Sequence, residues 1–404
     1  MKKFAKATSM GLLAASILAA AGAAQANIVV GGGATLPEPF YDAVLPSGPN
    51  LTDFSYTGTG SGAGKSAFFS NSATAFKNES NGLPWAANQS VHFAGSDSAV
   101  TLTERDNYNT ADTARAAGAK WGRFIQIPAV ATAVVVPFKK AGVTALNLSD
   151  AEICDVYSRK TTDWANLTGK TGTASGAIKV IFRSDNSGTT ELFSNYLVAA
   201  CPGYGFVKSN NFTTVVAGAL PAGVTVASLV ASGTWASGNG SGGVKDTIIA
   251  SDNALSYLSP DQFYTVNASD KVASINGFAP TNNYVQDAIA LTTPPTGLAV
   301  SNQLNWVPAY TKPASGYPIF GTTNLLVNQC YKDSVVQGKV KAFLTKLYAT
   351  APAANFDTQI NDHHFVKLPA NWLTAINDTF LAASGSLAIG DASVCNGVGR
   401  PLTN

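Results

Sequence analysis

Four short segments of the chain combine glycine with hydroxyl or charged side chains just before a predicted helix. They are Ala34–Leu36, Gly60–Gly62, Ser96–Asp97 and Arg183–Thr189. A helix N-terminus presents unpaired N–H groups and a partial positive charge, and glycine lets backbone N–H groups approach an oxyanion closely. The chemistry that such segments could carry is anion binding, although each one alone is typical of an ordinary helix cap.

The segment that begins at Arg183 is the most specific of the four. Its seven residues offer a planar guanidinium, Asp185, the hydroxyls of Ser187 and Thr189, and the backbone N–H of Gly188. Arginine matches tetrahedral oxyanions with two parallel hydrogen bonds, and charge-assisted bonds of this kind contribute ~1.5–3 kcal/mol each. The alternative is a surface Arg–Asp pair at a turn.

The stretch Gly60–Ser66 resembles two enzyme motifs and fits neither. A nucleotide-binding P-loop requires glycine five positions before Gly64, and a nucleophile elbow requires glycine at the same place. Thr59 stands there instead.

Residues 1–26 are predicted to be a cleavable signal peptide. Three lysines precede a short apolar run, Gly11–Ala21, and Ala24-Gln25-Ala26 gives the small-x-small cleavage pattern. The alternative, a retained membrane anchor, needs ~20 apolar residues. We therefore expect a mature chain that starts at Asn27, is periplasmic or secreted, and does not insert into the membrane.

The mature composition excludes several classes of protein. Without the three leader lysines, 23 basic residues face 24 acidic ones, so the slightly basic charge of the whole chain is lost and nucleic-acid binding is not expected. A mature length of 378 residues favours two domains.

An even number of cysteines in an exported protein indicates disulfides. Of the three pairings that four cysteines allow, we favour Cys154–Cys201 with Cys330–Cys395, because each bridge then closes a local stretch. A metal site is the rival interpretation. It is disfavoured because no C-x-x-C pair occurs and the histidines are only His92, His363 and His364.

The alternation of strand, polar loop and helix predicts an α/β fold with ligands at the carboxyl ends of strands. Residues 28–30 predict a strand that breaks at Gly31–Gly33, and residues 65–70 predict a helix after a glycine-rich loop. Residues 125–138 read as one central strand or two. Residues 231–243 read as an exposed Gly/Ser loop, and residues 336–347 as an amphipathic packing helix.

These motifs together resemble the periplasmic phosphate-binding component of ABC importers, and within it the DING phosphate-binding proteins. The matching segments are Gly31–Pro37, Tyr56–Ser61, Phe93–Asp97 and Phe182–Thr190, and similar order and spacing run through nearly all of the mature chain. The predicted mature start, Asn27-Ile28-Val29-Val30, departs from the Asp-Ile-Asn-Gly that names the DING group.

The resemblance implies a two-lobed, type II-like solute-binding fold in which each lobe has a central sheet flanked by helices and the chain crosses the hinge twice. Lobe I would comprise residues 27–135 and 318–404, and lobe II residues 136–317. It further implies a monomer without a cofactor, serving a permease and an ATPase.

Carried over residue by residue, the resemblance assigns eight positions to one inorganic phosphate. They are Thr35, the Leu36 N–H, Ser61 and Asp97 from one lobe, and Arg183, Ser187, the Gly188 N–H and Thr189 from the other. Asp185 would hold the Arg183 guanidinium without touching the ligand.

A carboxylate in an anion site repels its ligand unless it accepts a proton that the ligand carries. Phosphate carries such a proton at neutral pH and sulfate does not, so Asp97 predicts selectivity for phosphate. The alternative for Asp97 is a helix cap.

Two other functions remain open on the same scaffold. A secreted phosphatase is the first, since some DING relatives are associated with phosphatase activity. No metal-ligand spacing supports it, and His92 reads as a core or surface residue. A surface or adhesion protein that does not transport is the second.

Overall fold

The computed structural model describes residues 28–45, 54–78, 81–263, 271–351 and 355–403. The predicted signal peptide, residues 1–26, lies outside these ranges. The strands are β1 (Val29–Gly33), β2 (Phe54–Gly58), β3 (Phe93–Ser96), β4 (Phe124–Ala133), β5 (Phe138–Lys139), β6 (Ala145–Leu148), β7 (Lys170–Thr171), β8 (Lys179–Arg183), β9 (Trp235–Gly238), β10 (Ala254–Ser256), β11 (Ser274–Ile275) and β12 (Phe320–Asn328). The α-helices are α1 (Glu38–Val44), α2 (Ser61–Ser70), α3 (Leu102–Ala114), α4 (Asp150–Tyr157), α5 (Gly188–Ala200), α6 (Phe212–Val216), α7 (Val226–Ala231), α8 (Gly240–Ala250), α9 (Pro260–Phe263), α10 (Asn282–Ile289), α11 (Ser334–Leu347), α12 (Asp357–Asp362) and α13 (Ala370–Ile376).

The first sheet has the strand order β2-β1-β3-β12-β4. Strand β1 runs parallel to β2 and β3, while β12 lies antiparallel between β3 and β4. The carboxyl ends of the three parallel strands therefore meet at one edge. Thr35, Ser61 and Asp97 follow these ends within a few residues, which brings together segments far apart in the sequence.

The second sheet has the order β5-β10-β8-β9, and its strands β10, β8 and β9 are parallel. Arg183 is the last residue of β8, and Gly238 at the end of β9 is paired with it. A third, smaller sheet has the order β11-β6-β7. Helices flank the sheets, so the α/β class that the sequence predicted is confirmed.

Separate apolar clusters form around the two larger sheets. One contains Trp164 and Trp235 with the strands of the second sheet. Another contains Trp306 and Trp372, whose rings meet edge to face 6.5 Å apart. Because Trp306 packs with the first sheet, the short stretch around it lies against that core, although it falls within the range predicted for lobe II.

Both predicted disulfides are present. Cys154–Cys201 joins α4 to the residue that follows α5, with Cα atoms 5.7 Å apart. Cys330–Cys395 joins the end of β12 to the C-terminal segment, with Cα atoms 5.3 Å apart. Within the described ranges no helix is long and apolar enough to cross a membrane.

Three sequence-based predictions of local structure were wrong, each at glycine. Gly31–Gly33 continue strand β1 instead of ending it, and α2 begins at Ser61 instead of residue 65. The third is the predicted loop at 231–243, which contains β9 and the start of α8. Glycine is used here for close packing: a Cβ on Gly64 would lie 2.4 Å from the Cα of Gly33.

A buried arginine connects the C-terminal segment to helix α2 and strand β12. Arg400 is fully buried, and its guanidinium donates to Asn328 Oδ1 at 2.5 Å, the Phe68 carbonyl at 3.1 Å and Asn71 Oδ1 at 2.8 Å. It also lies 4.1 Å over the Phe68 ring. The last turn of α2 is therefore held by a side chain more than 300 residues away in the sequence.

We expect Arg400→Met to lower the free energy of unfolding by about 3 kcal/mol or more, because it leaves three buried acceptors without their charged donor. Urea denaturation of the two proteins measures the difference. The matched control is Arg105→Met, since Arg105 pairs on the surface with Asp106 and should cost no more than about 1 kcal/mol. Equal losses in the two variants would contradict this role of Arg400.

Candidate functional site

The first sheet contributes three of the predicted site residues, all of them buried. Thr35 follows β1, Ser61 is the first residue of α2, and Asp97 follows β3 directly. The backbone N–H of Asp97 donates to Ser61 Oγ at 3.0 Å, so the second and third segments are joined by a hydrogen bond. The parallel strands that end at this edge position all three.

The second sheet contributes a buried arginine that is held from both sides. Arg183 is 2% exposed, and its Nε and Nη2 donate to the two carboxylate oxygens of Asp185 at 2.7 and 2.5 Å. Its Nη1 points to hydroxyls, those of Thr189 at 3.4 Å and Ser241 at 3.3 Å. The ion pair predicted for Asp185 is thus present, and it is buried rather than a surface turn.

Helix α5 begins at Gly188, five residues after this arginine. Ser187 caps the helix by accepting from the Thr190 N–H at 3.2 Å, and Thr190 Oγ1 meets the hydroxyl of Tyr257 at 2.7 Å. The same Tyr257 hydroxyl accepts from the backbone N–H of Arg183 at 3.2 Å. These bonds fix the segment 183–189 as a rigid loop with its helix N-terminus at the site.

Residues of the two sheets meet across the site. Thr35 Oγ1 lies 3.2 Å from Ser241 Oγ and accepts from the Ser241 backbone N–H at 3.1 Å. The Gly62 N–H donates to the carbonyl of Asn186 at 3.2 Å. Ser259 Oγ donates to the Leu36 carbonyl at 3.0 Å. All four predicted segments therefore converge on one place.

The closest approach is made by Gly188. A Cβ at this position would lie 2.4 Å from Ser61 Oγ, 2.5 Å from the Cβ of Asp97 and 2.7 Å from the N of Ser98. Any other residue would push the α5 N-terminus away from the first sheet. Glycine at position 188 therefore allows the N-terminus of α5 to lie against the first sheet.

Asp97 is the unusual member of the group. It is 3% exposed, and burial raises the pKa of its carboxyl to about 7, although the hydroxyl of Thr323, the charge of Arg183 and the hydroxyls of Ser61 and Thr189 act in the opposite direction. A carboxyl with this pKa exchanges between its charged and neutral forms near neutral pH.

Asp185 behaves in the opposite way. Burial alone would raise its pKa, but the two hydrogen bonds and the charge of Arg183, with the Gly240 N–H at 3.0 Å, bring the pKa below its usual value. The site therefore contains one carboxylate that is firmly ionised and one that is poised near neutrality.

The arrangement can bind an oxyanion by donation from a guanidinium, several hydroxyls and the N–H groups at the start of α5, while Asp97 can accept one hydrogen bond. Among the described residues, no group of three or more His, Cys, Asp and Glu side chains could hold a metal ion. His92 is buried away from the site, where its Nδ1 accepts from the Val30 N–H at 3.0 Å. Of the two interpretations of His92, the core residue is confirmed.

One site residue was missed by the sequence analysis. Ser241 is fully buried beside Arg183 and Thr35, yet it falls in the stretch interpreted as an exposed loop. The signal was present: Gly240-Ser241-Gly242 is a glycine-flanked hydroxyl at a helix start, like the other segments. By contrast, Lys65, from the stretch that resembles a P-loop, forms a salt bridge with Glu104 at 3.0 Å.

Comparison with known proteins agrees with this geometry. A family model described as a PBP superfamily domain matches residues 18–349. This chain belongs to the PBP superfamily. Alkaline phosphatase L of Pseudomonas aeruginosa is 39% identical over 97% of this chain and 99% of its own length.

Two further relatives carry names that refer to binding. A phosphate-binding protein from an unknown prokaryotic organism is 37% identical over 92% of this chain and 99% of its own. The structure of a high-affinity periplasmic phosphate-binding protein of the DING type, solved with phosphate, has a TM-score of 0.80 and 36% identity, and covers 93% of this chain and 100% of its own. Within the superfamily, the chain thus groups with the DING phosphate-binding proteins, whose fold is two-lobed.

The raised pKa of Asp97 predicts a pH-dependent stability in buffer free of oxyanions. Because the folded protein favours the protonated carboxyl, its contribution is fully present below the ordinary pKa of 3.8 and is lost as the pH rises through about 7. Asp97→Asn should therefore match the wild type near pH 4 and be more stable than it near pH 8, at about 1.4 kcal/mol per pKa unit.

Thermal or urea denaturation across this pH range measures the effect. Asp185→Asn is the control, because the pKa of Asp185 is shifted in the opposite direction. That variant leaves a buried guanidinium unpaired and should lose about 3 kcal/mol at neutral pH. A stability difference between Asp97→Asn and wild type that does not change with pH would contradict the assignment.

Proposed function

We propose that this protein is an exported phosphate-binding protein that holds one inorganic phosphate between two lobes and supplies it to an ABC importer. The observation that carries the proposal is the position of buried Arg183 and buried Asp97 on opposite sides of one small site. The Arg183 guanidinium attracts an oxyanion, and the Asp97 carboxyl determines which oxyanion binds stably. The relatives that are named for phosphate binding support the same ligand.

Each side would provide its own set of donors. From lobe I come the Thr35 hydroxyl, the Leu36 N–H and the Ser61 hydroxyl, together with Asp97 as acceptor. From lobe II come the Arg183 guanidinium, the Ser187 and Thr189 hydroxyls and the Gly188 N–H. We add Ser241, because its hydroxyl lies within 3.3 Å of Arg183 and its backbone bonds to Thr35.

Asp97 gives the site its selectivity. An ionised carboxylate accepts the proton that phosphate carries, whereas sulfate offers no proton and leaves two negative charges facing each other at low dielectric. Because the carboxyl titrates near neutral pH, accepting the ligand's hydrogen bond also favours its ionised form.

Release requires the two lobes to separate. We keep the proposed boundaries, with lobe I at 27–135 and 318–404 and lobe II at 136–317, except that the stretch around Trp306 would move with lobe I. The contacts that Thr35 makes with Ser241, and Gly62 with Asn186, would then form only in the closed state. Ligand binding would shift the population toward this state by its differential affinity.

The location and partners follow from the same proposal. Two disulfides suit an oxidising compartment, and the signal peptide at 1–26 would deliver the chain to the periplasm or the medium. The partners would be a permease and an ATPase, served by a monomeric binding protein.

Phosphoester hydrolysis is the second candidate, because the relative that is 39% identical is called an alkaline phosphatase. The described histidines do not favour it: His92 is buried in the core, and His363 pairs with Asp261 at 2.9 Å. We expect no turnover of a chromogenic phosphomonoester by the purified protein. Sustained hydrolysis that Asp97→Asn or Arg183→Ala abolishes would establish the enzyme instead.

Calorimetric titration of protein that has been unfolded, stripped of ligand and refolded tests the binding function. Phosphate should bind one to one and sulfate should give no response. Asp97→Asn should lower the phosphate-over-sulfate preference by about a hundredfold or more, equivalent to about 2.7 kcal/mol, because an amide can donate to sulfate.

The matched control is Asp106→Asn, since Asp106 is an exposed partner of Arg105 and lies outside the site. It should leave both titrations unchanged. Wild-type protein that binds no phosphate would overturn the proposed function, and unchanged selectivity in Asp97→Asn would overturn the role of the carboxylate alone.

A further inference from the structure

Three buried polar atoms near the site have no hydrogen-bond partner within the described part of the chain. They are Asp97 Oδ1, Thr323 Oγ1 and the hydroxyl oxygen of Tyr41. Thr323 and Tyr41 are fully buried, and Asp97 is 3% exposed. Buried polar groups in folded proteins are almost always satisfied, so three orphans in one neighbourhood call for a common explanation.

The backbone places these three groups together. Strand β12 pairs with β3 so that Asn324 lies opposite Ser96, which sets Thr323 beside Asp97. On its other edge, β12 pairs with β4, and that ladder is irregular between Thr323 and Asn324. The Asn324 side chain donates to the Ser96 carbonyl at 2.9 Å and fixes this register.

Tyr41 approaches β3 at Gly95. Its ring comes within 3.3 Å of the position that a Cβ on Gly95 would occupy. Burial raises the pKa of the Tyr41 hydroxyl above its ordinary range, and the hydroxyl of Thr323 opposes that shift, as it opposes the raised pKa of Asp97. The Thr323 hydroxyl is thus the group that influences both Tyr41 and Asp97.

Hydroxyls suit this position because their hydrogens rotate. An ionised carboxylate is an acceptor only, so Tyr41 can donate to Thr323 and Thr323 to Asp97 Oδ1. The other carboxylate oxygen is then available for the proton of the ligand. The remaining polar groups that influence Asp97 are the Arg183 guanidinium, the hydroxyls of Ser61 and Thr189, and the buried Tyr56.

We propose that Tyr41 and Thr323 form a hydroxyl relay behind Asp97 that holds its carboxyl ready as an ionised acceptor and so tunes the selectivity of the site for oxyanions that carry a proton. The two residues are positioning residues, since they act through Asp97. The selectivity part of the proposal rests on the proposed phosphate-binding function.

The decisive readout does not need a ligand. In protein stripped of phosphate and labelled with ¹³C at aspartate carboxyls, the Asp97 signal is assigned by its loss in Asp97→Asn and is then titrated. Thr323→Val should raise its midpoint by about one pH unit, or about tenfold in the dissociation constant, because the carboxylate loses a donor. Tyr41→Phe should give a smaller shift in the same direction.

Thr323→Ser keeps the hydroxyl and should restore the wild-type midpoint. Thr132→Val is the matched control: Thr132 is an equally buried strand residue of β4 whose hydroxyl donates to the Ala133 carbonyl at 2.8 Å, so its loss should leave Asp97 unchanged. If Thr323→Val does not fold, the shift in Tyr41→Phe decides the outcome.

Calorimetry then tests the consequence for selectivity. In Thr323→Val, phosphate affinity near neutral pH should fall about tenfold while sulfate gains, since a carboxyl that is more often protonated can donate to sulfate. An Asp97 midpoint that does not move in either variant would overturn the relay even if wild type binds phosphate. A wild type without phosphate binding would overturn the function and the selectivity part, whereas the carboxyl titration would still judge the relay.

Discussion

Burying a guanidinium is the constraint around which the site is arranged. A charge removed from water is strongly destabilising unless it is paired and hydrogen-bonded, and Arg183 is 2% exposed. The Asp185 carboxylate accepts two parallel hydrogen bonds from the guanidinium, and the hydroxyls of Thr189 and Ser241 accept from its remaining nitrogen. The ends of β8 and β9 and the start of α5 have to lie where they do for these bonds to form.

The second determinant is the absence of side-chain volume where the two sheets meet. Gly188 touches Ser61 and Asp97, and Gly60 and Gly62 face the segment that follows Arg183. Hydrogen bonds across the site run largely through backbone groups and short hydroxyls. The donors of both sides can therefore come within contact distance of one small anion, which longer side chains would prevent.

Much of the site could be predicted from the sequence because its residues cluster in short segments with a local chemical meaning. Arg183, Asp185, Ser187, Gly188 and Thr189 lie within seven residues, and their contacts follow from that proximity. Ser241 was missed because a run of Gly and Ser is typical of a loop, and its role depends on the pairing of β9 with β8. Thr323 gave no local signal, since only the register of β12 places it beside Asp97. Likewise, the start of α2 was misjudged because close packing, rather than helix propensity, accounts for its glycines: Gly64 lies against β1, and Gly62 lies against Asn186.

The pairing of Arg183 with Asp185 has a consequence beyond the site. With Asp97 ionised, these three side chains have a formal charge of −1, so their charges alone would not draw an anion toward the pocket. Nor does the chain as a whole carry a large charge, since its 26 basic residues nearly balance its 24 acidic ones. Net charge, which through long-range attraction accelerates many associations between charged partners, would therefore contribute little here. An anion bound here would be recognised on contact, through hydrogen bonds from buried donors that dissolved salt screens little.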